Sequence, residues 1–327
     1  MNREATDTSV KWLETIDGYL VAMGENGLAG ASLRSLEGYL SKEIASSDGS
    51  TSHVVEADGL DATRSIARHL MFEGRTAELT RLYAYLLPIG VLPEMARRFT
   101  EAVGDDAARQ ALDGLRFPPA GSPPEAYPKA TAAFVGAALS KLGAEGARAV
   151  MTCNVHGIPA SAHEHEKARL AELGSIDAWL EDHHTRKVAE LEAHEKDGTL
   201  WYEQRITKRV VEFIRSRQDV LSGVRLGDVI RATKIPYDPD RWLASEDRLE
   251  RRRLACHCPL AASGIGEASS TVDPAWCACS AGYEKFLFDV AFGEACEARV
   301  LHSVLDGSDD CLFEIKIPEK TLAKYGG

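Results

Sequence analysis

The chain is short of positive charge. Its 38 lysines and arginines face 50 aspartates and glutamates, so the formal charge is −12 at pH 7 and the pI is near 5.4. Nucleic acids and anionic membrane surfaces select a basic face, and this balance argues against both as partners. The densest basic run, Arg248 to Arg253, reads as a solvated strand edge or as a clamp for a small anion. Long apolar runs are missing as well: no stretch approaches the ~20 residues of a membrane span. The opening Met1–Asp7 is polar and shows no signal-peptide core. The expected compartment is therefore a reducing cytoplasm, where disulfides are rare. No repeat at a solenoid period is visible. Seven cysteines, an odd number, suit a fully paired disulfide framework poorly.

The remaining composition, 44% hydrophobic and 27% charged, is ordinary for a folded chain. A length of 327 residues exceeds one typical core and predicts two or three domains. Apolar residues at helical spacing predict helices over 8–25, 31–46, 60–73, 76–87 and 92–103, with a short one over 105–114. Five prolines between Phe117 and Pro128 predict a stiff linker. Beyond it, helices are expected over 129–152, 160–173, 175–196 and 202–217, with Ser175 starting the third of these.

The period changes near residue 224. Val229–Ile235 reads as a strand, 248–257 as a second strand pairing with it, 280–293 as a helix ending at Gly293, and 296–304 with 310–317 as a closing hairpin turning at Asp306–Asp309. The fold class is α+β: a helical N-terminal domain (1–116), the Pro-rich linker (117–128), a helical central region (129–222) and a cysteine-rich domain (223–327) with an antiparallel sheet and one packed helix. The amphipathic N-terminal helices pack on the rest or form a homodimer contact.

Two Cys-x-Cys motifs concentrate the chemistry: Cys256-His257-Cys258-Pro259 and Cys277-Ala278-Cys279-Ser280-Ala281-Gly282-Tyr283. Thiolates are soft metal ligands and strong nucleophiles. Three readings stay open. Cys256, Cys258, Cys277 and Cys279 hold zinc or an iron–sulfur cluster. Alternatively Cys277 and Cys279, at a helix N-terminus that lowers a thiol pKa, act as nucleophiles, with His257 as a possible base. Or all four are small core residues. On a strand, His257 points away from both flanking cysteines. Cys296 and Cys311 read as core, and Cys153 opens a loop that also holds His156.

Six of the ten histidines fall between His156 and His194 among interleaved acids. The bland reading is a solvated charged face. The sharper one brings His163 and His184, on neighbouring helices, into the site as acid and base. No His-Glu-x-x-His is present.

The stretch Cys-His-Cys-Pro, then Trp276-Cys-Ala-Cys-Ser-Ala-Gly-Tyr283, then a helix ending Phe-Gly, resembles a bacterial cysteine-rich group that looks related to L-2-amino-thiazoline-4-carboxylate hydrolases. The closing Asp310-Cys311-Leu312-Phe313-Glu314-Ile315 is similar to the end of 4-vinyl-reductase-type ligand-binding domains, although Ser308 interrupts the expected Gly-Asp pair. The resemblance covers about 145–318. It implies a cysteine-lined pocket between the central helices and the sheet, and a hydrolase opening a C–N or C–S bond of a small heterocycle through a Cys-ligated metal or a thiolate. The alternative is a non-catalytic metal- or ligand-binding sensor or carrier.

Overall fold

The computed structural model describes residues 91–118, 124–155, 158–202, 204–268 and 271–327. The helices expected before residue 88, the middle of the Pro-rich segment, and His156 lie outside them. The chain divides into two compact units, Met1–Gly90 with Pro118–Pro123 and Val91–Phe117 with Pro124–Gly327. The second is described below.

Its helical part begins with α1 (91–103) and α2 (Asp105–Ala111). Then come α3 (Tyr127–Met151), α4 (Glu164–Leu173) and α5 (Ile176–Asp197). The Pro-rich segment ends earlier than its prolines suggest, because Pro128 sits in the first turn of α3, where a proline lacks no needed hydrogen bond. Leu92, Met95 and Phe99 of α1 share a core with Phe134 and Met151 of α3, with Phe99 edge-on to Phe134 at 6.1 Å. Ser175 caps α5 by accepting from Ala178 N, and Gly198 ends it in the left-handed conformation.

Two expectations fail here. The helix predicted over 202–217 is shorter: β1 (Leu200–Trp201) and β2 (Gln204–Arg205) form a small antiparallel hairpin, and α6 (Lys208–Ser216) starts only at the Thr207 cap. The strand predicted over 248–257 is helix α8 (Arg248–Ala255), which follows α7 (Pro239–Ala244). Asp247 caps α8, accepting from Glu250 N at 2.7 Å, and that local bond fixes a helical start. The arginines of α8 lie on a helix and not on a strand edge. Arg252 donates to Val304 O at 2.8 Å, and Arg251 stacks its guanidinium on Trp242 at 4.0 Å.

The rest is the expected α+β layout. Strands β3 (Val224–Leu226), β4 (Val229–Thr233), β5 (Ala298–His302) and β6 (Leu312–Lys316) form one antiparallel sheet in the order β3-β4-β6-β5. Helix α9 (Ala278–Phe292) ends at Gly293 as read, and α10 (Glu319–Tyr325) closes the chain. The turn between β5 and β6 is held by Asp306, which accepts from Ser303 N and Ser308 N. Ile230, Phe313 and Ile315 of the sheet, Phe288 of α9 and Trp179 of α5 share one buried core. No helix among the described residues is long and apolar enough to cross a membrane.

Candidate functional site: a thiol-rich recess beside Lys234

The site is built where α8, β4 and the start of α9 converge. After α8 the chain runs extended through Cys256, and the N–H groups of Ala261 and Ala262 fold back onto Cys258 O at 3.1 and 2.9 Å. Thr131 of α3 anchors this turn, donating to Leu260 O at 2.9 Å. Trp276 belongs to a short 3-10 turn, Pro274–Cys277, capped by Asp273. Its ring packs edge-on to Phe134 at 6.3 Å, and its indole N–H donates to Cys258 Sγ at 3.3 Å.

The opposite wall is the end of β4. Lys234 N donates to Cys311 O at 2.9 Å. The Lys234 ammonium lies 3.6 Å from a Glu284 carboxylate oxygen and 4.6 Å from the Tyr283 ring centre. Both partners are on α9, so one cation ties the sheet to that helix. Lys234, His257, Cys258 and Glu284 keep part of their surface accessible. Burial nonetheless dominates the titration of His257, Cys258 and Glu284. Partial access with strong desolvation describes a recess.

The thiols do not behave as a helix N-terminus alone would have them. Cys277 is the N-cap of α9 and Cys279 its second residue. Both were expected to be acidic. Instead burial pushes both thiols up, and neighbouring sulfurs push further: Cys311 and Cys258 for Cys277, Cys258 and Cys153 for Cys279. Desolvation of the thiolate outweighs the helix dipole. Cys256 is raised by burial and then by Cys258, Cys311 and Cys277, and Cys311 by burial to about 11. Cys311, read as core, thus joins Cys256, Cys258 and Cys277 in one low-dielectric region.

Cys258 differs from its neighbours. Burial raises it above the ordinary thiol value, and the indole N–H of Trp276, the backbone N–H groups of Leu260 and Ala261, and the Lys234 ammonium offset that only in part. This is the donor arrangement that stabilises an anion in a dry site. Glu284 is the second poised group: burial raises its carboxyl against the pull of Lys234.

The histidines sort differently. His257 lies on no strand, so the alternation argument does not apply. Its Nε2–H donates to Ile235 O at 2.6 Å, its ring meets Tyr237 at 5.5 Å, and burial pulls it down to about 3. With Nε2 committed as a donor, that nitrogen is no base. His163 caps α4 and packs edge-on to Phe286 at 5.8 Å. His184 sits between α5 and α6, with Nε2 3.4 Å from Arg215 O and Nδ1 3.5 Å from Ser222 Oγ. The structure places both outside the thiol recess. A groove of about 730 Å³ between α4 and the C-terminal end of α9, lined by Lys167, Asp289 and Glu294 among others, holds no cysteine.

Sequence reasoning missed Lys234, Trp276 and Glu284. The available signals were a lysine inside the apolar run Ile230–Ile235 and a glutamate inside the apolar face of α9. As for a metal, the donor types suit zinc or an iron–sulfur cluster. Their placement does not: among the described residues no group of three or more His, Cys, Asp or Glu side chains is arranged to hold an ion.

A family of unknown function, DUF6144, matches residues 239–322, a segment that contains both Cys-x-Cys motifs, Glu284 and Cys311 but not Lys234. No curated protein and no solved structure matches the chain.

Proposed function

We propose that the recess is the active site of a small-molecule hydrolase that opens a C–N or C–S bond of a small heterocycle, with the Cys258 thiolate as nucleophile and Glu284 as acid and base. One observation carries this reading: the Trp276 indole N–H donates to the Cys258 sulfur at 3.3 Å, and the Leu260 and Ala261 N–H groups and the Lys234 charge also favour its thiolate. The resemblance to thiazoline-carboxylate hydrolases supplies the substrate class.

The chemistry follows from these groups. A Cys258 Sγ–carbon bond forms at the electrophilic ring carbon. The ring bond from that carbon to nitrogen or sulfur breaks, and the Glu284 carboxylic acid, whose protonated form burial favours, gives its proton to the leaving atom. Water then attacks the thioester-level carbon, Glu284 takes its proton, and the Sγ–carbon bond breaks to return the Cys258 thiolate, with Glu284 protonated as at the start. Lys234 steadies the negative charge at both stages.

The test uses L-2-amino-thiazoline-4-carboxylate as probe, with product analysis and mass spectrometry of the enzyme. Ring opening that disappears in Cys258→Ser but survives in Cys277→Ser supports the reading. Turnover that survives in Cys258→Ser sinks it. A second reading is supported by the shared region of Cys256, Cys258, Cys277 and Cys311: a metal-binding sensor or carrier, with Cys279 at its margin. It requires the sulfurs to draw closer. Stoichiometric zinc or iron in anaerobically purified protein, lost in Cys256→Ser, together with no turnover, favours it.

A further inference from the structure

Gly282 marks a backbone crossing. A methyl group built on it would lie 2.3 Å from Cys153 N and 2.5 Å from Cys153 O, so α9 presses directly on the break that follows α3. Cys279 precedes Gly282 by three residues and so shares its helix face, one turn toward the N-terminus. Residues three apart in a helix have Cα atoms about 5 Å apart, so Cys279 lies one helical turn from the point where α9 meets Cys153. Cys153 keeps part of its surface accessible, whereas Cys279 is buried.

We propose that Cys153 and Cys279 form a peroxide-sensitive pair that closes to a disulfide, pinning the first turn of α9 to the end of α3. The electrostatics agree with the geometry. Burial and Glu94 raise the Cys153 thiol, Arg98, Lys285 and Arg97 offset this only in part, and Cys279 responds to the charge of Cys153. The accessible Cys153 thiolate attacks a peroxide oxygen. An S–O bond forms, the O–O bond breaks, and the departing oxygen leaves as hydroxide, which takes up the proton released when the Cys153 thiol ionised, giving water and a sulfenic acid. The Cys279 sulfur then attacks Cys153 Sγ. The S–S bond forms, the S–O bond breaks, and hydroxide leaves with the Cys279 proton as a second water. Cys279 is also a neighbour of Cys258, so its capture reports oxidation to the recess. The proposal holds whatever reaction the recess performs.

The experiment treats the full reduced chain with hydrogen peroxide, blocks remaining thiols with N-ethylmaleimide, and sequences cross-linked peptides by fragmentation. The expected result is a Cys153–Cys279 link that dithiothreitol releases, that Cys258→Ser retains, and that Cys153→Ser and Cys279→Ser each abolish. Cys153 over-oxidised with Cys279 unlinked, or Cys279 linked to Cys258 instead, overturns the proposal. Should either serine variant lose its far-UV circular dichroism, the mapping of the unsubstituted chain decides alone.

Discussion

Glu166 on α4 and Glu284 on α9 both take a carboxyl largely out of water, and their surroundings drive them in opposite directions. Glu166 accepts from Trp179 Nε1 at 2.9 Å and from both terminal nitrogens of Arg186 at 2.8 and 2.7 Å, and His165 lies at 3.1 Å. Burial alone would raise it, but the Arg186 bonds, the nearby His183 and Trp179 outweigh burial and hold it at about 2. Arg186 also binds Asp182, which binds Arg169, so the charges form a closed network. Glu284 has one ammonium at 3.6 Å, and its carboxyl stays raised. A fully compensated buried carboxylate joins two helices, whereas burial of an under-compensated one favours its protonated form. On the proposed reading, the difference separates structural charge from working charge.

The comparison breaks most easily at its structural end. Glu166→Ala leaves Arg186 without its main partner and is expected to cost about 3–5 kcal/mol in urea unfolding. Glu284→Gln is expected to stay within about 1 kcal/mol while slowing turnover of the thiazoline probe about 100-fold or more. Equal losses of stability in the two variants would erase the distinction drawn here.

The pH dependence sharpens it. Glu166 titrates near 4.5 unfolded and about 2 folded, so its stabilisation is complete above the first value and lost as pH falls toward the second. Burial pulls His183 from 6.5 to about 4, and its contribution is lost over that interval. Glu284 is raised, so its contribution has the opposite sign: present below its unfolded pKa and lost as pH rises through the folded one. Acid unfolding of Glu166→Ala should flatten between about pH 4.5 and 2. Glu284→Gln should remove a loss of stability above that range, and an unchanged profile in either variant counts against the assigned surroundings.

Smaller effects probe the walls of the recess. Gly282→Ala forces a methyl into the Cys153 backbone and is expected to cost about 1–3 kcal/mol, read as a lower unfolding midpoint. Trp276→Phe keeps the packing against Phe134 but removes the indole N–H. Iodoacetamide modification of Cys258 should then slow about tenfold and shift to higher pH, as loss of a hydrogen bond to a charged sulfur implies. An unchanged rate would show that the indole does not stabilise the thiolate.

Most helices were legible because their caps are local. Ser175 and Gly198 bound α5, and Gly293 ends α9, with no help from distant residues. The 248–257 misreading is instructive for the same reason. Asp247 and Glu250 carry a helix-start signal of N-cap acid and third-position glutamate, and the strand expected over 248–257 runs against it. The segment 202–217 failed because Tyr202 adopts φ 52, a left-handed turn that a helical apolar pattern does not announce.

The sequence by itself determined where the thiols are, which segments are helices and strands in most of the second unit, and that the closing hairpin follows α9. Those properties depend on spacing, capping and turn residues within a few positions. Only the tertiary structure decided how each thiol is surrounded. Burial overrode the helix-terminus argument at Cys277 and Cys279, while Trp276 and Lys234, 18 and 24 residues away along the chain, brought their donors to Cys258. Desolvation and hydrogen bonding depend on what surrounds a group in space, and spacing along the chain does not encode that.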